Sequence, residues 1–188
     1  GAGNDRFVLT GDGANDQNFG GDGNDRFVLD AVEQGGSIHG DGGLRDWLDA
    51  SAVTGRGLIF DMVDGTWNNN GLERGLSGIE DITCGQGNDR LIGDDAANGL
   101  DGGAGDDTLS GGGGADFLYG GLGNDRFLLT GDGTGDFNYG GEGNDTFVLD
   151  AVQQGGSIWG DGGLRDLLDA SAVTGRNLAF SLVFDFYI

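Results

Sequence analysis

Aspartate, once replaced by asparagine, recurs two residues before a large apolar residue at every ninth position through the middle of this chain. From Cys84 the sequence divides without gaps into CGQGNDRLI, GDDAANGLD, GGAGDDTLS, GGGGADFLY and GGLGNDRFL. Position six of these segments holds Asp89, Asn98, Asp107, Asp116 and Asp125, and position eight holds Leu91, Leu100, Leu109, Leu118 and Phe127. Paired carboxylates can serve acid–base catalysis, and single aspartates can brace turns through their own backbone. Recurrence along an edge points instead to a hard divalent cation. Stacked carboxylates repel one another at every turn, and calcium accepts six to eight oxygens, including the carbonyls of a glycine-rich turn.

The elements that position these residues follow from the same columns. Glycine at positions one, two and four lets the backbone take positive φ or approach a neighbour closely. Positions seven to nine are long enough for a three-residue strand whose middle side chain points inward. One such strand buries nothing alone, but stacked turns do. Two segments make one 18-residue coil with a strand on each side. Leu91, Leu109 and Phe127 then form one inward ladder, and Leu100 and Leu118 the opposing one. Asp89, Asp107 and Asp125 stack along one edge, with Asn98 and Asp116 on the other.

The rhythm continues less cleanly outside this block, in GGEGNDTFV (140–148), GGDGNDRFV (20–28) and the opening AGNDRFV. TGDGANDQNF (10–19) and TGDGTGDFNY (130–139) carry an added residue or two, which predicts a local bulge. Asn18 and Asn138 fall in the apolar column there and need hydrogen-bond partners. A second period, of 120 residues, relates 1–60 to 121–180 as a duplicated module. Residues 61–83 form an irregular excursion between the copies. GSIHGDGGLRDWLDASAVTGRGLIFDMV (36–63) should continue the sheet or cap the stack, and VTGRNLAFSLVFDFYI (173–188) is assigned the C-terminal cap. The expected division is 1–83, a partial roll with an irregular strand and loop excursion, and 84–188, the central roll with capping strands.

Composition narrows the function classes. The 188 residues include 44 glycines and no proline, and 32 acidic against 9 basic residues give a formal charge of -23. Collagen is excluded by the missing three-residue period. The charge disfavours nucleic acid and anionic membranes, and the few basic residues cannot neutralise the acidic edges. No run of about 18 apolar residues occurs, so no membrane-spanning helix is expected. Cys84 is the single cysteine, so no intrachain disulfide forms, and some other staple is required. The chain opens inside a running repeat, and a preceding segment is expected.

The motif GGxGxDx(apolar)x resembles the RTX, or haemolysin-type, calcium-binding nonapeptide repeat, over 84–149 and 1–29; the DGGLRD, LDASAVTG and GIEDITCGQGNDRLIG stretches resemble the same class. The resemblance implies an all-β fold: a parallel beta-roll, a right-handed solenoid of 18 residues per coil, with calcium-binding turns and less regular capping strands. It places several calcium ions in rows between turns, held by position-six side chains and glycine carbonyls. Carried onto this chain, those side chains are Asp5, Asp25, Asp89, Asp107, Asp116, Asp125 and Asp145. Asp16, Asp46, Asp136 and Asp166 sit in altered turns, and Asn98 keeps an oxygen without the charge. The turn at 94–99 lacks the usual glycines. The resemblance also implies a bacterial protein exported by type I secretion that folds in the calcium-rich exterior. Asp185-Phe186-Tyr187-Ile188 resembles the acidic-then-hydrophobic terminus of the secreted protease branch.

No catalytic site is expected. His39 is the sole histidine, its duplicate is Trp159, and nothing matches H-E-x-x-H. Cys84 stands in a glycine column and reads as incidental. The preferred function is a calcium-binding module that couples folding and stability of an exported, secreted or cell-surface protein to extracellular calcium. Its partners are calcium ions and parent-protein domains, without nucleic acid or membrane insertion. The rival is a repeat unit of a surface-layer, adhesin or fibre-forming assembly that self-associates, its cue being the duplication and outward aromatics such as Trp47, Trp67 and Trp159. A third option is an appendage binding acidic polysaccharide through calcium.

Overall fold

The computed structural model describes residues 1–10, 16–30, 36–69, 71–130, 135–149 and 156–173. The assigned cap from 174 onward, with its terminal Asp-Phe-Tyr-Ile, lies outside the described residues. The described residues contain no helix. They build two stacked sheets that the chain visits alternately. One has eight strands in the order Arg6–Leu9, Arg26–Leu29, Trp47–Asp49, Asp81–Thr83, Gly99–Ala104, Phe117–Leu122, Phe137–Glu142 and Ser157–Asp161, each parallel to the next. The other has ten, running Leu167–Asp169, Thr146–Leu149, Arg126–Leu129, Thr108–Ser110, Arg90–Ile92, Leu58–Asp61, Thr66–Asn69, Leu72–Ser77, Ser37–Asp41 and Gln17–Gly21. Its pairs are parallel except at Thr66–Asn69, which is antiparallel to both neighbours. This is the beta-roll arrangement. The sheets run without a break across residues 83 and 84, through the pairing of Asp81–Thr83 with Gly99–Ala104.

Position-eight side chains meet between the sheets. Leu91 pairs with Leu109, and Leu109 with Phe127; Ile82, Leu100 and Leu118 line up on the opposite sheet. All are at most 2 % exposed. Each such burial contributes about 1.5–3 kcal/mol, and the roughly 4.8 Å strand spacing repeats it at every coil. Phe127 and Phe147 stack at 4.6 Å inside the roll.

The coil is not uniform. Partners are 18 residues apart in the centre (Leu91 and Leu109) but 20 apart in the duplicated modules (Arg6 and Arg26, Arg126 and Thr146). The added residues do not bulge the strands at Asn18 or Asn138, as the sequence led one to expect. Leu118, Asn138 and Ile158 pair in unbroken register, as do Asn18 and Ile38. Asn138 is fully buried, and its Nδ2 donates to Ser157 O at 3.3 Å. Asn18 does the same to Ser37 O at 3.1 Å.

The two copies lie in opposite phase. Arg6–Leu9 and Arg26–Leu29 belong to the eight-stranded sheet, whereas their duplicates, Arg126–Leu129 and Thr146–Leu149, belong to the ten-stranded one. Between them the chain crosses from sheet to sheet an odd number of times, so each copy's inward and edge residues change sides. Leu58–Asp61, Thr66–Asn69 and Leu72–Ser77 form an antiparallel meander that fills the ten-stranded sheet between Arg90–Ile92 and Ser37–Asp41. Its Trp67 does not face outward as expected. It is 0 % exposed, stacks on Phe60 at 5.9 Å, and lies under the Arg74 guanidinium at 5.1 Å. The antiparallel strand supplies an inward position at which Trp67 is the bulkiest fully buried side chain among the described residues. His39 is packed, stacking on Phe19 at 4.8 Å and bonded to Ser77 and Gln17.

Candidate metal centre

The sharp turns on either edge are made by glycine. Gly121 and Gly123 have φ of 107° and 132°, a region in which a side chain is strained. Every turn of this type delivers position six just before a strand, at the mouth of the turn. One edge therefore carries Asp5, Asp25 and Asp46 in successive coils and, one coil further on, Asn98, Asp116 and Asp136; the other carries Asp89, Asp107, Asp125, Asp145 and Asp166. Asp16 lies on this second edge at its far end, separated from the others by the meander.

A hydrogen-bond ladder fixes these carboxylates. The N–H of Asp89 donates to Asp107 Oδ1 at 2.7 Å, that of Asp107 to Asp125 Oδ1 at 2.8 Å, and that of Asp125 to Asp145 Oδ1 at 2.8 Å. Asp145 N–H continues the series to Asp166 Oδ1 at 2.9 Å. On the other edge Asp5 donates to Asp25 at 2.7 Å, Asp25 to Asp46 at 2.6 Å, Asn98 to Asp116 at 2.9 Å and Asp116 to Asp136 at 3.1 Å. Beyond Asp46 this second ladder is carried one coil further by a residue that sequence reasoning missed. Glu80 Oε2 accepts the Asp46 N–H at 2.8 Å, and Glu80 stands two residues before the inward Ile82. Extending the nonapeptide frame back by one segment, to GLSGIEDIT (75–83) with glycine at positions one and four, could have found it.

The ladder uses Oδ1 and leaves Oδ2. Those of Asp25, Asp107, Asp125 and Asp145 are buried and have no hydrogen-bond partner. Each turns toward the position-one glycine of its own turn and the equivalent carbonyl of the next coil. A Cβ built on Gly120 would press on Asp125 Oδ2 and stand 2.5 Å from Gly140 O. At Gly102 the same atom would press on Asp107 Oδ2 and stand 2.7 Å from Gly120 O. Gly20 with Asp25, and Gly140 with Asp145, repeat the arrangement. The space a side chain would take is lined by a carboxylate oxygen and a carbonyl, the hard donors that suit calcium. Among the described residues no three Asp, Glu, His or Cys side chains converge on one point, so backbone carbonyls must supply much of any donor set.

Electrostatics point the same way. Burial, reinforced by neighbouring carboxylates, pushes Asp107 and Asp125 up to about 7. Burial pushes Asp89 up to about 6. Asp46, Asp145 and Glu80 are also raised, burial first and adjacent carboxylates after it. These groups resist ionising without a counter-charge.

Two turns depart from the pattern. At 93–101 the Asn98 Oδ1 accepts the Asp94 N–H of its own turn at 2.9 Å, and Asp94 Oδ1 accepts Ala96 N–H at 2.8 Å. The side chains do the work of the missing glycines. At Asp89 the position-one residue is Cys84, whose buried thiol lies against the carboxylate and is itself pushed well up by burial and by Asp89 and Asp107. Asp5, Asp16 and Asp166 are exposed.

The family model described as the RTX calcium-binding nonapeptide repeat (4 copies) matches residues 74–109 and 97–127. The matched span contains the 18-residue coils. No curated protein matches the chain.

Proposed function

We propose, for a chain that carries RTX calcium-binding nonapeptide repeats, that this roll is a folding module of an exported protein, closed by extracellular calcium. The observation that carries the reading is the buried, partnerless Oδ2 of successive aspartates beside a glycine carbonyl of the next coil. Asp25, Asp107, Asp125 and Asp145 would hold ions most fully, with Asp116 in the same turn type. Asp46, Asp136 and Asp166, in altered or end turns, and exposed Asp5 come next. Asp16, off the ladder, Asn98, whose oxygen is engaged, and Asp89, whose cradle Cys84 fills, come last. Bound calcium supplies positive charge between coils.

The chain's own residues do the rest. Oδ1 ladders hold each carboxylate at its edge, and glycines keep the carbonyls accessible. The inward Leu and Phe ladders then become available as core. At neutral pH without calcium, adjacent carboxylates about 5 Å apart repel by roughly 3 kcal/mol per pair, which keeps the chain open. Ions that bind only the folded form close it. Low cytosolic and high external calcium would make folding follow export, as the RTX resemblance implies. A repeat unit of a surface assembly is the second reading, favoured by the duplicated module and by outward rings such as Phe117 and Phe137, 49 % and 46 % exposed. Circular dichroism during a calcium titration, with size exclusion in calcium and in chelator, tests both. Calcium-dependent β signal and compaction to a monomer support the first; calcium-dependent polymers support the second. A β signal and elution volume identical in chelator would contradict the calcium reading.

A further inference from the structure

We propose that the outer face of the eight-stranded sheet binds a neutral saccharide in a groove between Trp47 and Tyr119. The groove encloses about 550 Å³. Its floor is low because Gly99, on the strand between those walls, has no side chain. Trp47–Asp49 and Phe117–Leu122 are three strand steps apart, roughly 14 Å, which is room for a sugar ring between aromatic walls. The Arg26 guanidinium covers the Trp47 ring at 4.1 Å, and the Trp47 Nε1 donates to Thr83 Oγ1 at 3.2 Å, so the ring is held in place. On the far wall Tyr119 is 39 % exposed. Phe117, on the same strand and in register with Trp47, lines this wall too; behind the wall Tyr139 lies 5.2 Å from Phe117 and stacks on Trp159 at 4.4 Å.

The polar lining selects the ligand class. Arg45 is bound as a fork by Asp81, at 2.7 and 2.6 Å, so its charge is already matched. Thr83 accepts from Trp47 and keeps its own proton to donate. The Asp101 carboxylate, which accepts the Gly103 N–H, adds an acceptor. Mixed donors and acceptors around one matched ion pair suit hydroxyl groups, which do both, and the C–H face of a pyranose suits an aromatic wall. A chain of net charge -23 repels polyanions. The duplication supplies an internal contrast. Residues 36–56 and 156–176 differ at two positions only, His39 against Trp159 and Trp47 against Leu167. At the 47/167 position tryptophan stands in the copy that borders the groove and leucine in the other.

The proposal depends on the folded roll and not on where ions sit, so the assay is run in saturating calcium. Cellohexaose, maltohexaose and mannohexaose are titrated by calorimetry and by tryptophan fluorescence. Saturable binding of at least one is expected, weakened on the order of tenfold by Trp47→Leu, with circular dichroism and calcium response unchanged. Leucine is the residue the second copy carries at this position, so the variant should fold; Asp101→Asn provides a second, conservative variant with the same expected loss. The proposal is overturned by no saturable binding of any of the three at millimolar concentration, by binding that both variants leave intact, or by preference for polygalacturonate or an arginine-rich peptide.

Discussion

Acid should substitute for calcium in holding this roll together. Asp107 and Asp125 lie at about 7 in the folded, calcium-free form, against an ordinary 3.8 or so in an unfolded chain. Because the folded value is the higher one, each group favours folding below about pH 4, and that contribution is lost as pH rises through 7. Three units correspond to about 4 kcal/mol, and discounting by half for solvent at the turn edge leaves about 2 kcal/mol per group. Two groups then contribute a swing of about 4 kcal/mol, comparable with the whole stability of a small domain. In chelator, far-ultraviolet circular dichroism and denaturant midpoints should show the roll gaining structure as pH falls from 7.5 to 5. Asp107→Asn with Asp125→Asn should flatten that profile and raise the calcium-free stability at pH 7.5, while the exposed Asp64→Asn should leave the profile as it was. A calcium-free midpoint that is level or falling toward pH 5, or a double variant with the parent's slope, would refute the reasoning.

Gly120→Ala changes no strained backbone angle, yet its Cβ falls between Asp125 Oδ2 and Gly140 O; calorimetry should count one ion fewer, with the remaining sites intact. Cys84→Gly empties the space beside Asp89 and should add one ion to the same count. Asn138→Leu removes a buried Oδ1 that has no partner and joins Leu118 to Ile158 in one apolar ladder. Thermal unfolding in calcium should show it stabilised by about 1–2 kcal/mol.

The nonapeptide columns made the inward ladders and both acidic edges readable in advance, because period and side-chain direction are tied together in a strand. Asp107 stacked on Asp125 follows from spacing alone. Glu80 was missed because its segment, GLSGIEDIT (75–83), lacks the glycine at position two and holds glutamate where the others hold aspartate or asparagine, although Gly75, Gly78, Glu80 and Ile82 stand in the same columns. Trp67 was misassigned because the excursion carries no nonapeptide columns to say which positions face in; its inward direction follows only from its pairing with the buried Phe60. The opposite phase of the two modules was hidden too. It depends on the number of sheet crossings between them, a property of the whole path. Cys84 looked incidental among glycines, and its consequence appears only once the space its side chain fills is seen to be the one lined by oxygen.

The most direct test is a crystal structure grown in calcium, with anomalous data collected to locate the ions. The account predicts peaks between consecutive coils beside Oδ2 of Asp25, Asp107, Asp125 and Asp145, and none in the space filled by Cys84. Metal-free turns with those four carboxylates directed into solvent would contradict it.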